Sequence, residues 1–91
     1  MTRSISVVVH GRVQGVWFRK STKEAADSRG LTGIVVNRDD GTVYLEAQGN
    51  VHAVADFLDW CSEGPELARV ERLEIQDIEP TSHDGFLIIR K

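Results

Sequence analysis

Residues 5–19 read ISVVVHGRVQGVWFR, and this stretch changes character twice. Ile5 to Val9 is short and rich in β-branched residues, the composition of a buried strand. Gly11 and Gly15 then break the pattern, which predicts a loop over 11–15. From Phe18 to about Arg29 the apolar or small positions Phe18, Thr22, Ala25 and Ala26 recur at helical spacing, and Gly30 is placed to cap the end. The chain therefore opens as strand, glycine loop, helix.

The remainder follows from the same signals. Gly33–Asn37 is a second strand, Arg38–Gly41 a turn and Thr42–Gln48 a third strand, so 33–48 is a hairpin. Asn50 is a good helix N-cap, and Val51, Val54, Phe57, Leu58 and Cys61 form one apolar stripe behind it until Gly64-Pro65 stops the helix. Ala68–Ile78 reads as a strand whose apolar parity slips between Val70 and Leu73, predicting a bulge there or a late start. Phe86–Arg90 is a short last strand. Two helices cannot cover both faces of such a sheet. The pattern predicts an α+β two-layer sandwich with both helices on one face of a mostly antiparallel sheet: a ferredoxin-like βαββαβ core with an added short edge strand.

Ninety-one residues, 41% of them hydrophobic, suit one small packed domain covering 1–91. The net charge of -3 gives no general attraction to nucleic acid or to an anionic membrane, so any anion must be held by a local pocket. Cys61 is the only cysteine, which excludes an internal disulfide and a cysteine metal cluster. No charged leader followed by an apolar run opens the chain, and no stretch approaches the roughly 18 apolar residues of a membrane span. The expectation is a cytoplasmic domain without a membrane or nucleic-acid partner.

Gly11–Arg19 lies between a strand and a helix N-terminus. Glycine-rich backbone there can aim several N–H groups into one concave space, and the helix dipole adds positive potential. Arg19 can set a planar guanidinium beside an anion, its fork matching two phosphate oxygens. The spacing is neither that of the Walker loop nor that of the dinucleotide fingerprint. An ordinary turn with a surface arginine would read the same way locally. Asn37, at a strand end before a turn, can accept from a water and donate to a phosphate oxygen, or simply bond its own backbone.

Taken together, the two segments resemble the acylphosphatase family. Gly11 to Arg19 matches its Gly-x-Val-Gln-Gly-Val-x-Phe-Arg signature at every defined position. Gly33, Val35, Asn37, Gly41, Val43 and Gly49 match its second signature, and element order and length agree over essentially the whole chain. Ile34 departs from the usual aromatic and Val36 from the usual basic or polar residue; both positions flank the site, and the departures leave Arg19 and Asn37 themselves unchanged. The resemblance implies hydrolysis of the carboxyl–phosphate bond of small acyl phosphates, without metal or cofactor, by a monomer inhibited by inorganic phosphate. It implies that the backbone of Gln14, Gly15, Val16, Trp17, Phe18 and Arg19 holds the phosphoryl group with the Arg19 side chain, and that Asn37 positions water.

Other residues read as structural. His10, His52 and His83 are scattered without metal-pair spacing. Asp39 and Asp40 sit in a turn, Cys61 lies on an apolar stripe, and Glu71–Glu74 alternates charge along an edge. Trp17 is placed either to rim the pocket or to cover apolar surface. Two rival readings are a non-catalytic binding module of the same architecture, for amino acids or RNA, and an accessory domain of a larger protein. An RNA-binding sheet is weakened by Tyr44 being the only aromatic on a central strand. An accessory domain such as the one that begins hydrogenase-maturation carbamoyl transferases is disfavoured because no zinc-finger cysteines follow.

Overall fold

In the computed structural model, which describes residues 1–90, side-chain alternation along β1 (Thr2–Arg12) sends Ile5, Val7 and Val9 to one side, where all three are fully buried. The other elements are α1 (Phe18–Ser28), β2 (Thr32–Asn37), β3 (Val43–Asn50), α2 (Val51–Glu63), β4 (Arg69–Asp77) and β5 (Phe86–Ile89). The strands form one sheet in the order β4-β1-β3-β2-β5, antiparallel except for the β2–β5 pair. Register puts Ile5, Val7 and Val9 opposite Ala47, Leu45 and Val43, so one face is continuously apolar. Both helices cover that face with Phe18, Thr22, Ala25 and Ala26 from α1 and Val54, Phe57 and Cys61 from α2. This is the α+β sandwich that the sequence pattern predicts.

Phe57 is the hub of the layer interface. Its ring meets Phe86 edge-on at 6.2 Å and stacks against Trp60 at 6.1 Å. The C-terminus of α1 closes as expected around Gly30: in a left-handed conformation, it donates to the Asp27 carbonyl at 3.1 Å while Leu31 reaches back to Ala26.

β1 outruns the sequence reading at both ends, beginning at Thr2, while β3, β4 and β5 shift by one or two residues. Gly11 and Arg12 belong to β1 and not to the loop, because a bulge lets the ladder continue. His10 pairs with Arg72 and Gly11 with Val70, leaving Glu71 as the extra residue where the apolar parity slips. Gly11 has a φ of 130°, and a Cβ there would lie 2.0 Å from the Arg69 carbonyl oxygen, so only glycine fits.

β4 and β5 stand at opposite edges, so the chain between them must cross the sheet. It crosses the face away from the helices. The Ile78 N–H donates to the Ser4 carbonyl, the Thr81 N–H to Gln48 Oε1, and the Gly33 N–H to the Gly85 carbonyl as β5 begins. This crossing delivers β5 beside β2, next to Asn37 and the start of α1.

Candidate active site

The loop from β1 to α1 is pinned at two points: Val13 and Val16 bury their side chains in the core. Between and beyond them the backbone turns outward. Gly15 has a φ of 73° and Trp17 a φ of 63°, both left-handed, which glycine adopts freely and tryptophan only at a cost. Trp17 is also the N-cap of α1, and its side chain caps nothing. The first backbone bond of the helix runs from the Ser21 N–H to the Trp17 carbonyl at 3.0 Å. The N–H groups of Gln14 to Arg19 find no hydrogen-bond acceptor among the described residues. Successive unfilled donors at the positive end of a helix dipole are the kind of backbone that can hold an anion.

The hairpin supplies the opposite wall. Arg38 donates its N–H to the Thr42 carbonyl and Gly41 its N–H to the Arg38 carbonyl. Asp40 accepts from the Thr42 hydroxyl at 2.6 Å and from the Thr42 N–H at 3.0 Å, and these bonds hold its carboxyl below the usual range. The Arg38 guanidinium lies 4.5 Å over the Tyr44 ring. Asp40 is thus a turn residue, as expected.

Gln14 joins the two walls. Its side-chain amide donates to the Arg38 carbonyl at 2.7 Å and to the Thr42 carbonyl at 2.9 Å. The sequence reading counted Gln14 only for its backbone N–H. The strap is a tertiary contact between residues 24 and 28 apart, with no local pattern to reveal it.

The space enclosed is a cavity of about 340 Å³, lined by Val13, Gly15, Trp17, Phe18, Arg19, Lys20, Asn37, Ile88 and Arg90. A second, more open and polar hollow is lined by Gln14, Arg19, Asn37, Arg38, Asp39 and Ile89. Arg19 and Asn37 line both and so stand at their junction. Asn37 Oδ1 is buried there with no hydrogen-bond partner among the described residues. A buried acceptor left unpaired costs about 1–3 kcal/mol, a penalty that a bound water would relieve.

The sequence-predicted residues come together unevenly. Gly15, Trp17, Phe18, Arg19 and Asn37 line the cavity, whereas Val16 is a core residue that offers only its N–H. Phe18 is 2% exposed and packs 5.8 Å from Trp60, so its ring serves the core. Trp17 is 72% exposed at the rim, which favours the rim reading over the surface-covering one. Ile34 and Val36 pair with Glu46 and Tyr44 in the ladder and line neither hollow. Lys20, Ile88 and Arg90 were not singled out from the sequence. The alternation Phe86, Ile88, Arg90 was the available signal, since it puts Arg90 on the same side as a core phenylalanine.

The remaining titratable groups lie elsewhere. His10 Nε2 is 3.3 Å from Glu74 Oε1 on the β1–β4 ladder, and His83 Nε2 is 3.5 Å from Glu46 Oε1. Cys61 is fully buried, and burial pushes its thiol up to about 12. Among the described residues no group of three or more His, Cys, Asp or Glu could hold a metal ion, and no helix is long and apolar enough to cross a membrane.

The chain is similar to known proteins over nearly its whole length. The acylphosphatase family model matches residues 5–88. The acylphosphatase of Methylococcus capsulatus is 46% identical over 89 residues, covering 97% of each chain. The solved acylphosphatase of Coxiella burnetii superposes with a TM-score of 0.93 at 34% identity, over 97% of this chain and 93% of that one. Full-length HypF, solved in a phosphate- and nucleotide-bound form, matches 99% of this chain with 12% of its own, at a TM-score of 0.91 and 26% identity. With the family model spanning nearly the whole length and a relative of this identity over almost all of it, the chain belongs to the acylphosphatase family.

Proposed function

We propose that this chain hydrolyses small acyl phosphates to a carboxylate and inorganic phosphate, with the phosphoryl group in the 14–19 cradle. The observation that supports the reading is the meeting of Arg19 and the unpaired Asn37 Oδ1 where the two hollows join, beside the uncapped start of α1. Arg19 and the amides neutralise charge on the phosphoryl oxygens. Asn37 Oδ1 accepts from the attacking water and its Nδ2 donates toward a phosphoryl oxygen, so that the water lies in line with the scissile P–O bond. The bond that breaks joins phosphorus to the acyl oxygen, and the departing carboxylate is a weak base that needs no strong general acid. No carboxylate or histidine is asked to carry a proton: the water's proton leaves with the inorganic phosphate, and Asp39, the one carboxylate lining either hollow, borders only the second. On this reading the protein works as a cytoplasmic monomer.

The test is hydrolysis of a simple acyl phosphate with a metal chelator present. Turnover that survives chelation and is inhibited competitively by inorganic phosphate is the expected result. Absence of turnover with several acyl phosphates would leave an anion-binding module instead.

A further inference from the structure

Arg19 and the open amides suffice for a phosphoryl group, yet two more cations border the same cavity. Lys20 stands in the first turn of α1, and Arg90 lies just beyond β5. Neither has a hydrogen-bond or ion-pair partner among the described residues. Arg3, Lys23, Arg29 and Arg72 each find a carboxylate, whereas Arg12 and Arg69, equally without one among the described residues, face each other across the β1–β4 ladder and line neither hollow. Lys20 also sits at the positive end of a helix with no acidic residue in its first turn, where a second cation beside Arg19 is electrostatically unfavourable. The two cations reach the cavity from different elements, and Val13, Trp17, Phe18 and Ile88 form an apolar wall in the same space.

We propose that Lys20 and Arg90 form a second anion subsite that selects acyl phosphates whose acyl group bears its own carboxylate or phosphate. The apolar body of such a group packs against Trp17 and Ile88, and its far anion meets the two cations. The subsite makes and breaks no bond. It rests on the hydrolytic reading above and adds the substrate class to it.

The experiment compares 4-carboxybenzoyl phosphate with 4-methylbenzoyl phosphate, a pair of similar shape that differs in the distal charge. Rates are corrected for uncatalysed hydrolysis and measured on the wild type and on a Lys20→Gln/Arg90→Gln double variant. Both positions are exposed, so turnover of the methyl substrate reports that the variant is folded. At low ionic strength the wild type should favour the carboxylated substrate in kcat/KM by about tenfold, a preference that shrinks with salt. In the double variant the ratio should fall to near one. A wild-type ratio near one overturns the subsite. So does a ratio that survives the double substitution, even if both rates fall, because the cations would then only steer anions in general. If neither substrate is turned over, the hydrolytic reading fails and the subsite fails with it.

Discussion

The two helices begin in opposite ways. α2 starts at Asn50, whose side-chain oxygen accepts from the His52 N–H at 2.8 Å and the Ala53 N–H at 3.4 Å. α1 starts at Trp17, a bulky residue held left-handed, with no side-chain cap and with Arg19 and Lys20 in its first turn. By the rules of helix stability α2 is well begun and α1 poorly begun, in its cap and in its charges. The poorly begun helix is the one that faces the cavity. If the proposed site is right, a side chain that capped α1 would occupy the donors an incoming phosphoryl group needs. On that reading, α2 has an end finished for folding and α1 an end left open for a ligand.

The largest effect should come from removing the cation at the open end. Arg19→Ala should fold normally and lose roughly 3 kcal/mol or more of transition-state stabilisation, at least a hundredfold in kcat/KM. Near-normal turnover of an acyl phosphate by that variant would remove the arginine from the mechanism. Asn37→Ala should fall mainly in kcat, by about 10- to 100-fold, while inorganic phosphate still inhibits at a similar concentration. Weakened inhibition with intact turnover would reverse the assignment of roles between Arg19 and Asn37.

The finished end should behave in the opposite sense. Asn50→Ala should cost about 1 kcal/mol in denaturant unfolding and leave kcat/KM unchanged, since the cap serves only the helix. A larger loss of activity than of stability there would mean that α2 also shapes the site. The smallest effect concerns strain at the open end. Trp17→Gly should gain a few tenths of a kcal/mol, because glycine tolerates the left-handed backbone at the expense of unfolded-chain entropy. A marked destabilisation would show that the Trp17 ring, though 72% exposed, contributes packing that outweighs its backbone cost.

Sequence patterns of short range carried most of the fold. β-branched runs and helical spacing placed every element, and the parity slip after Val70 marked the bulge where Glu71 has no partner. The misassigned stretch, Gly11 and Arg12, failed for a physical reason: glycine signals both a loop and a bulge, and only the pairing with β4 distinguishes them. In the site, Arg19 and Asn37 were legible because each lies at a strand–turn or loop–helix junction within a dense family signature. The strap from Gln14, the unpaired Asn37 Oδ1 and the meeting of Lys20 with Arg90 in one cavity were not, because each depends on elements that meet only in three dimensions. Even the arrival of Arg90 depends on residues 78–85 crossing the open face of the sheet.

The most direct test of the open helix end needs no substrate. Thermal unfolding of the wild type, Arg19→Ala and Asn37→Ala is followed with and without inorganic phosphate. A ligand that binds only the folded state at 100 times its dissociation constant stabilises by about 2.7 kcal/mol. Phosphate should raise the melting temperature of the wild type and of Asn37→Ala by similar amounts and leave that of Arg19→Ala nearly unmoved. Equal stabilisation of all three proteins, or of none, would contradict the assignment of the cradle and Arg19 as the phosphoryl site.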